Sequence, residues 1–298
     1  QSYPVGGIIY FANNFDNVDQ TRDMISNTQS YSKIGLFIAT DEEGGRVNRI
    51  MDTLGTTYIG PMYDYKDDGP DAAFENAKTI ASDMSALGFN LDFAPVADVW
   101  SNPDNTVIGD RAYSDDYAQA AELVGSAVKG FQDGGVICTL KHFPGHGDTA
   151  EDSHYSSAYV NRTKAQIMAD EMQPFRTGID AGAELVMVGH LIVPDIDELP
   201  STLSYKIATE MLRGDLEFDG VAITDSMEME SIADNYGVAD SAVMAVQAGM
   251  DMLLQPADLA AAVNAIVTAV QNGDITEPRI DESVRRILTL KAERGLLE

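Results

Sequence analysis

The stretch from Leu140 to Tyr155 reads Leu-Lys-His-Phe-Pro-Gly-His-Gly-Asp-Thr-Ala-Glu-Asp-Ser-His-Tyr, and it opens at the end of the apolar run 136–140. Such a run is typical of a buried strand. Pro144 and Gly145 then end any regular element, because proline fixes φ and glycine frees it. Three of the chain's 4 histidines lie in this stretch. A strand that ends in a loop rich in His, Lys and Asp predicts a functional site carried by a scaffold.

Two other interpretations of these histidines are possible. A metal site is one, but His142 and His146 are separated by proline and glycine and do not share a helix face, the loop has no cysteine, and no zinc-binding helix motif is present. A purely structural loop, in which the histidines cap backbone groups, is the other. We favour catalysis or ligand binding over both, and we predict no metal and no cofactor.

The composition is that of an ordinary globular protein with an acidic surface. Of 298 residues, 44% are hydrophobic and 22% charged, and 19 Lys+Arg against 48 Asp+Glu give a formal charge of −29. Such a surface repels phosphate backbones, so nucleic-acid binding is disfavoured. No apolar run is long enough to predict a membrane span. The single cysteine, Cys138, lies in a predicted strand and is interpreted as a small buried hydrophobic residue.

Short apolar strands alternate with amphipathic helices along the whole chain, which predicts an α/β fold with a parallel sheet covered by helices. The predicted strands are 7–11, 36–39, 91–96, 136–140, 185–188, 221–224 and 252–254. The predicted helices are 18–32, 72–87, 117–131, 164–181, 204–212, 238–248, 257–271 and 281–294.

Two architectures fit this alternation: an open doubly wound sheet and a TIM-type (β/α)8 barrel. Asp41, Asp98, Lys141, His190 and Asp225 lie at or just past the ends of five successive strands. In a barrel every strand end faces one mouth, whereas an open sheet gathers its site at one switch point. The pattern therefore favours the barrel, which is incomplete or lacks its first strand because only seven strands are found. No linker is visible, so residues 1–298 are predicted to form one domain, with 54–70 as a surface loop.

The run from Lys141 to Thr149, together with Asp152-Ser153-His154, resembles the signature of the glycoside hydrolase family 3 β-N-acetylglucosaminidases, also called β-N-acetylhexosaminidases. The resemblance extends from Gly6 to the last helix, so the whole chain is expected to be a family 3 catalytic barrel. Catalytic domains of this family begin with a strand and a helix before the segment that matches Gly6-Gly7-Ile8, so either that start has been cut away or the barrel closes with a substitute strand or a gap.

The resemblance implies a pair of catalytic groups. Asp225 follows the strand 221–224; the local sequence alone fits a helix N-cap equally well, but the resemblance implies a nucleophile that forms a covalent glycosyl-enzyme. His154 is implied as the acid and base, oriented by Asp152. A histidine titrates near neutrality, and a carboxylate can hold its tautomer. A simple Asx-type turn is the structural alternative for Asp152 and His154.

The resemblance also implies which residues bind the sugar. Asp41, Arg49, Arg111, Lys141 and His142 match family positions that contact sugar hydroxyls or the acetamido group. Glu42, next to Asp41, stands where the family usually has Gln.

Three further polar residues are expected to act through others rather than on the sugar. His146 and Asp148 would shape the loop, and His190 would line or support the pocket. Asp92, inside a strand, is interpreted as structural.

These inferences predict a retaining exo-β-N-acetylglucosaminidase that acts on peptidoglycan fragments or chitooligosaccharides. The alternatives are a β-N-acetylglucosaminide phosphorylase or another family 3 β-glycosidase, and a sugar-binding protein without activity. The partner is a carbohydrate containing N-acetylglucosamine. Because the expected first strand is missing, Gln1 is not expected to be the native start, and an extracellular or cell-wall location is favoured over a cytoplasmic one.

Overall fold

The computed structural model describes residues 3–149 and 158–297, in which short strands alternate with helices. The strands are β1 (Gly7–Ile9), β2 (Phe37–Thr40), β3 (Leu91–Asp92), β4 (Thr139–Phe143), β5 (Ala158–Tyr159), β6 (Leu185–Val188), β7 (Leu191–Val193), β8 (Asp197–Pro200) and β9 (Val221–Thr224). The α-helices are α1 (Val18–Ser30), α2 (Met51–Leu54), α3 (Gly69–Leu87), α4 (Tyr117–Asp133), α5 (Lys164–Ala169), α6 (Met172–Asp180), α7 (Glu230–Ala233), α8 (Val238–Ala248), α9 (Leu259–Asn272) and α10 (Glu277–Glu293).

Parallel strands follow one another in chain order, which is the arrangement of a TIM-type barrel. One ladder joins β1, β2 and β3, and another joins β4, β6 and β9. Parallel bridges, one of them between Leu91 and Ile137, connect the two ladders. A further bridge between Ile223 and Met252 adds a seventh parallel segment. Within the described residues, no backbone pairing joins that segment to β1, so the predicted barrel order is present without a hydrogen-bonded seam at this point.

Successive residues of the central strands belong to two different apolar cores. In β2, Phe37 and Ala39 lie in the inner cluster, and Ile38 lies in the outer cluster with the helices. In β6, Met187 is an inner residue and Val186 an outer one. Because strand side chains alternate between faces, the inner cluster fills the barrel and the outer cluster joins the strands to the helices.

The helices begin and end at residues suited to those positions. The residue before α1, α4, α9 and α10 accepts a hydrogen bond from a backbone N–H three residues further on; these residues are Asn17, Asp116, Asp258 and Thr276. Gly88 ends α3 with a φ of 100°, a conformation that disfavours other residues. These caps orient the chain between each helix and the next strand.

A small third sheet was not predicted. It contains β5, β7 and β8, with β5 parallel to β7 and β8 antiparallel to β7. β7 and β8 follow β6 with no helix between them, so the strict alternation of strands and helices fails here.

Three sequence predictions were wrong in detail. The helix predicted over 164–181 is two helices, because Pro174 has no N–H and its ring would clash with the carbonyl of Asp170. The helix predicted over 204–212 is a π-helix over Lys206–Asp215. The predicted surface loop 54–70 contains a 3₁₀ helix over Met62–Asp68 and buries Ile59.

The described part of the chain contains no helix that is both long and apolar enough to cross a membrane. Cys138 is buried, as predicted, and burial raises the pKa of its thiol to about 12.

Candidate active site

A cavity of about 370 Å³ lies where β1, β2, β4, β6 and β9 end. Six of the predicted site residues line it: Asp41, Arg49, Arg111, Lys141, His142 and Asp225. They come from separate elements, since Asp41 follows β2, Lys141 and His142 are in β4, and Asp225 follows β9. The strands of a parallel barrel converge on one mouth, and this explains how residues almost 200 positions apart share one cavity.

The floor of the cavity is a chain of ion pairs centred on Glu43. Arg111 donates to both carboxylate oxygens of Glu43, from Nε to Oε2 and from Nη2 to Oε1, each at 2.8 Å. Lys141 Nζ lies 2.6 Å from Glu43 Oε1 and donates to Asp41 Oδ1 at 2.8 Å. Burial alone would raise the pKa of Glu43, but Arg111 and Lys141 outweigh burial and hold that pKa well below its usual range. The side chains that face a ligand here are therefore charged and fixed.

Arg49 is held at the cavity edge by its backbone. The carboxylate of Glu42 accepts hydrogen bonds from the N–H groups of Arg49 at 2.6 Å, Ile50 at 2.9 Å and Met51 at 3.2 Å. Burial raises the pKa of Glu42 to about 7 despite these bonds. Arg49 Nη2 lies 3.8 Å from Asp41 Oδ2. Its buried Nε has no hydrogen-bond partner within the described residues, which suits an acceptor on a ligand.

Asp225 is held in place by hydrogen bonds at its backbone N–H and at its side chain. Its N–H donates to the carbonyl of Val188 in β6 at 2.9 Å, and its Oδ1 accepts from the N–H of Ser226 at 2.7 Å. The carbonyl of Ser226 lies 2.8 Å from His190 Nε2, and His190 Nδ1 lies 2.8 Å from Thr202 Oγ1. His190 is thus placed behind the cavity wall, in contact with the segment that carries Asp225.

Asp98 organises the two histidines on the other side of the cavity. Its buried carboxylate lies 2.7 Å from His142 Nδ1 and accepts from the N–H groups of His142 at 3.1 Å and His146 at 2.6 Å. His146 Nδ1 contacts Thr149 Oγ1 at 2.7 Å, and burial lowers the pKa of His146 to about 4. Asp148 Oδ1 accepts from Ser101 at 3.4 Å. His146 and Asp148 therefore lie among loop contacts, away from the cavity lining.

Two predicted catalytic residues, Asp152 and His154, lie outside the described residues. Two residues of the site in the described part of the chain were not predicted from the sequence. These are the buried carboxylates of Glu43, which was not singled out, and of Asp98, which was noted only as a polar residue at a strand end. Glu43 lies two residues after Asp41, and Asp98 lies just past a predicted strand. These positions are the sequence signals that could have identified them as site residues. In residues 3–149 and 158–297, no group of three or more His, Cys, Asp or Glu side chains could hold a metal ion.

Comparisons with known proteins point to one family. Residues 1–290 match the glycosyl hydrolase family 3 N-terminal domain. The chain is 33% identical over 324 residues to beta-hexosaminidase A of Pseudoalteromonas piscicida, covering 98% of this chain and 54% of that protein. It is 35% identical over 298 residues to beta-hexosaminidase of Chromobacterium violaceum, covering 96% of this chain and 81% of that protein.

A comparison with solved structures indicates the same family. The family 3 beta-N-acetylglucosaminidase from Paenibacillus sp. str. FPU-7 superposes with a TM-score of 0.93 at 41% identity, over 98% of this chain and 57% of that one. The chain thus spans little more than half the length of two of these three proteins.

Proposed function

Since the chain belongs to the glycosyl hydrolase family 3 N-terminal domain family, we propose that residues 1–298 form one catalytic barrel domain of a retaining exo-β-N-acetylglucosaminidase. The observation that carries this proposal is the single cavity in which Asp225 meets Asp41, Arg49, Lys141 and the other sugar-binding candidates. The relatives named beta-hexosaminidase support the same substrate class. Terminal β-linked N-acetylglucosamine of peptidoglycan fragments or chitooligosaccharides is the proposed substrate.

Asp225 acts as the nucleophile in this proposal. A retaining glycosidase needs a carboxylate beneath the anomeric carbon, held so that it attacks without rotating away. The bond from the Ser226 N–H to Oδ1 and the anchoring of the Asp225 N–H on Val188 supply that restraint. Attack at the anomeric carbon forms the Asp225–sugar ester and breaks the bond to the leaving group, and water then cleaves the ester.

In this proposal, the ion-paired side chains around Glu43 bind the sugar. Asp41 presents a carboxylate that can accept hydrogen bonds from hydroxyls, and Arg49, Arg111 and Lys141 present donors. Because Glu43 already fixes Arg111 and Lys141, these donors need little reordering when the sugar binds. Binding energy is then available to hold the anomeric carbon over Asp225.

His154, oriented by Asp152, is proposed as the acid and base. The motif resemblance supports this role. An imidazole can protonate the departing oxygen and later take a proton from water, because it titrates near neutral pH. It also places no second anion beside the leaving group, so acidic aglycones are less repelled.

Replacement of Asp225 tests the proposal. We expect Asp225→Ala to lose ~10³-fold or more in kcat on an aryl N-acetyl-β-glucosaminide, because the covalent step is removed. Asp219→Ala is the matched control, since Asp219 precedes the same strand and its side chain is fully exposed. Turnover by Asp225→Ala within tenfold of wild type would remove Asp225 from the mechanism.

A second pair of assays tests the acid. His154→Ala should lose little activity when the leaving group is an acidic phenol and much more when it is a sugar, because only the sugar needs a proton to depart. Equal losses on both substrates would exclude proton donation by His154.

A phosphorylase is the second candidate function. Arg49, Arg111 and Lys141 supply cationic groups to the cavity, and a histidine acid lets phosphate approach where a carboxylate would repel it. Release of free N-acetylglucosamine at a rate independent of phosphate supports the hydrolase; release of the 1-phosphate supports the phosphorylase. Binding of the sugar without turnover would support the third alternative, a sugar-binding protein.

A further inference from the structure

Asp98 is a fully buried carboxylate, and its hydrogen bonds within the described residues are to His142 at the end of β4 and to His146 in the loop that follows. Oδ1 accepts from the backbone N–H of His146 at 2.6 Å and of His142 at 3.1 Å. Oδ2 lies 2.7 Å from the ring nitrogen Nδ1 of His142, and it also accepts from the backbone N–H of His142 at 3.1 Å. Burial opposes ionisation of Asp98, but the contacts with His142 and His146 together outweigh burial and lower the pKa of Asp98. The carboxylate is therefore ionised and only accepts hydrogen bonds.

This contact fixes the proton on one nitrogen of the His142 ring. An ionised carboxylate has no proton to give, so Nδ1 of His142 must be the donor in the 2.7 Å contact. In a neutral imidazole, a proton on Nδ1 leaves Nε2 with a lone pair. His142 then presents an acceptor at Nε2, whereas the other tautomer would present a donor.

Nε2 lies on the edge of the His142 ring away from the Asp98 contact. His142 lines the cavity and Asp98 does not, so the edge opposite Asp98 is the one that a ligand meets. Within residues 3–149 and 158–297, no hydrogen bond to His142 Nε2 is found. The charged groups of the lining are three cations, Arg49, Arg111 and Lys141, and three carboxylates, Asp41, Glu43 and Asp225. An acceptor at Nε2 adds one more position at which a ligand must donate a hydrogen bond.

We propose that Asp98 is a positioning residue that holds His142 in the Nδ1–H tautomer, so that Nε2 accepts a hydrogen bond from one sugar hydroxyl and selects for a donor there. The identity of the ligand as a sugar rests on the proposed function, whereas the tautomer does not. A group that cannot donate at that position, such as fluorine, would leave the lone pair of Nε2 without a partner.

Asp98→Asn is designed to reverse the tautomer. Oδ1 takes two backbone N–H groups, so the amide oxygen of asparagine should occupy that position and its NH₂ group the position of Oδ2. The NH₂ group would then donate to Nδ1 of His142, which moves the ring proton to Nε2. Asp133→Asn is the matched control, because Asp133 pairs with Lys78 on an exposed surface.

The first measurement is the ring-nitrogen NMR spectrum of the ¹⁵N-histidine-labelled protein without ligand at neutral pH, with His142 assigned from His142→Gln. We expect Nδ1 protonated and Nε2 unprotonated in wild type and in Asp133→Asn. A protonated Nε2 in wild type would overturn the proposal. This result does not depend on whether the protein hydrolyses sugars, so it separates failure of this inference from failure of the proposed function.

The second measurement compares kcat/KM for aryl N-acetyl-β-glucosaminides with fluorine in place of the 3-, 4- or 6-hydroxyl. In wild type, one position should carry a penalty of about tenfold or more, the worth of one hydrogen bond. In Asp98→Asn the activity on the parent substrate should fall, but the fluorine penalty at that position should shrink at least threefold. A penalty that is unchanged in a folded Asp98→Asn protein with a reversed tautomer would overturn the specificity role.

Discussion

The Nε2 atom of His190, just past the end of β6, lies 2.8 Å from the carbonyl oxygen of Ser226, the residue after Asp225. A carbonyl only accepts, so Nε2 carries the proton, and Thr202 faces Nδ1. The bond connects the end of β6 to the end of β9 directly behind the candidate nucleophile. His190 therefore contributes to the position of Asp225 without lining the described wall of the cavity.

Loss of this bond should affect the chemical step more than binding. We expect His190→Phe to lower kcat about 10²-fold, because small displacements of a reacting group have effects of this size, while KM changes less than threefold. Steady-state kinetics on an aryl N-acetyl-β-glucosaminide give both values. His190→Gln, which keeps a donor, should recover part of kcat. A folded His190→Phe protein with wild-type kcat would contradict the positioning role.

Glu43 should stabilise the fold in a pH-dependent way. Its pKa is lowered in the folded state by Arg111 and Lys141, so its stabilising effect is complete above the unfolded value of about 4.3 and is lost as the pH falls towards the folded value. We expect Glu43→Gln to lower the free energy of unfolding by about 3–5 kcal/mol at pH 7, because it leaves a buried cation unpaired.

Urea unfolding of wild type and Glu43→Gln at several pH values measures this effect. The difference between the two proteins should shrink below about pH 4.3. The exposed Glu122→Gln is the control and should show little difference at any pH. A difference at Glu43 that stays constant down to the acid transition would contradict the assignment.

Glu42 should have the opposite pH dependence. Burial raises its folded pKa to about 7, so between about pH 4.3 and 7 the folded state binds a proton that the unfolded state has lost. The free energy of unfolding of wild type, relative to Glu42→Gln, should therefore fall as the pH rises, by at most about 1.4 kcal/mol per pH unit. The same urea series measures it. A relative stability that does not fall with pH in this range would show that Glu42 is already ionised in the folded state.

Local sequence predicted two strands with their observed bounds, whereas the strand predicted over 136–140 is Thr139–Phe143 and the one predicted over 91–96 is Leu91–Asp92. The predicted bounds 185–188 and 221–224 are those of β6 and β9, because each run is bounded by glycine or a polar residue. The sheet of β5, β7 and β8 was missed, because β5 and β7 have only two and three residues and pair across more than thirty positions. Such pairings leave no local pattern.

The convergence of several candidate residues on one cavity was predictable from the positions of the strand ends. Asp41, Lys141 and Asp225 share the cavity because parallel strands end together. The partners behind them were not predictable in the same way. Glu43 is 68 positions from Arg111, and Asp98 is 44 positions from His142, so only the folded chain reveals which buried charge meets which.

The most direct test of the proposed mechanism is to trap its covalent intermediate. Wild-type protein is incubated with a 5-fluoro N-acetylglucosaminyl fluoride, which slows hydrolysis of the ester, and its peptides are then mapped by mass spectrometry. We predict one added N-acetylglucosaminyl group, of the 5-fluoro form, on the peptide that contains Asp225, and none in Asp225→Ala. A stable adduct on another residue, or turnover of the reagent in the Asp225→Ala protein at the wild-type rate, would contradict the account.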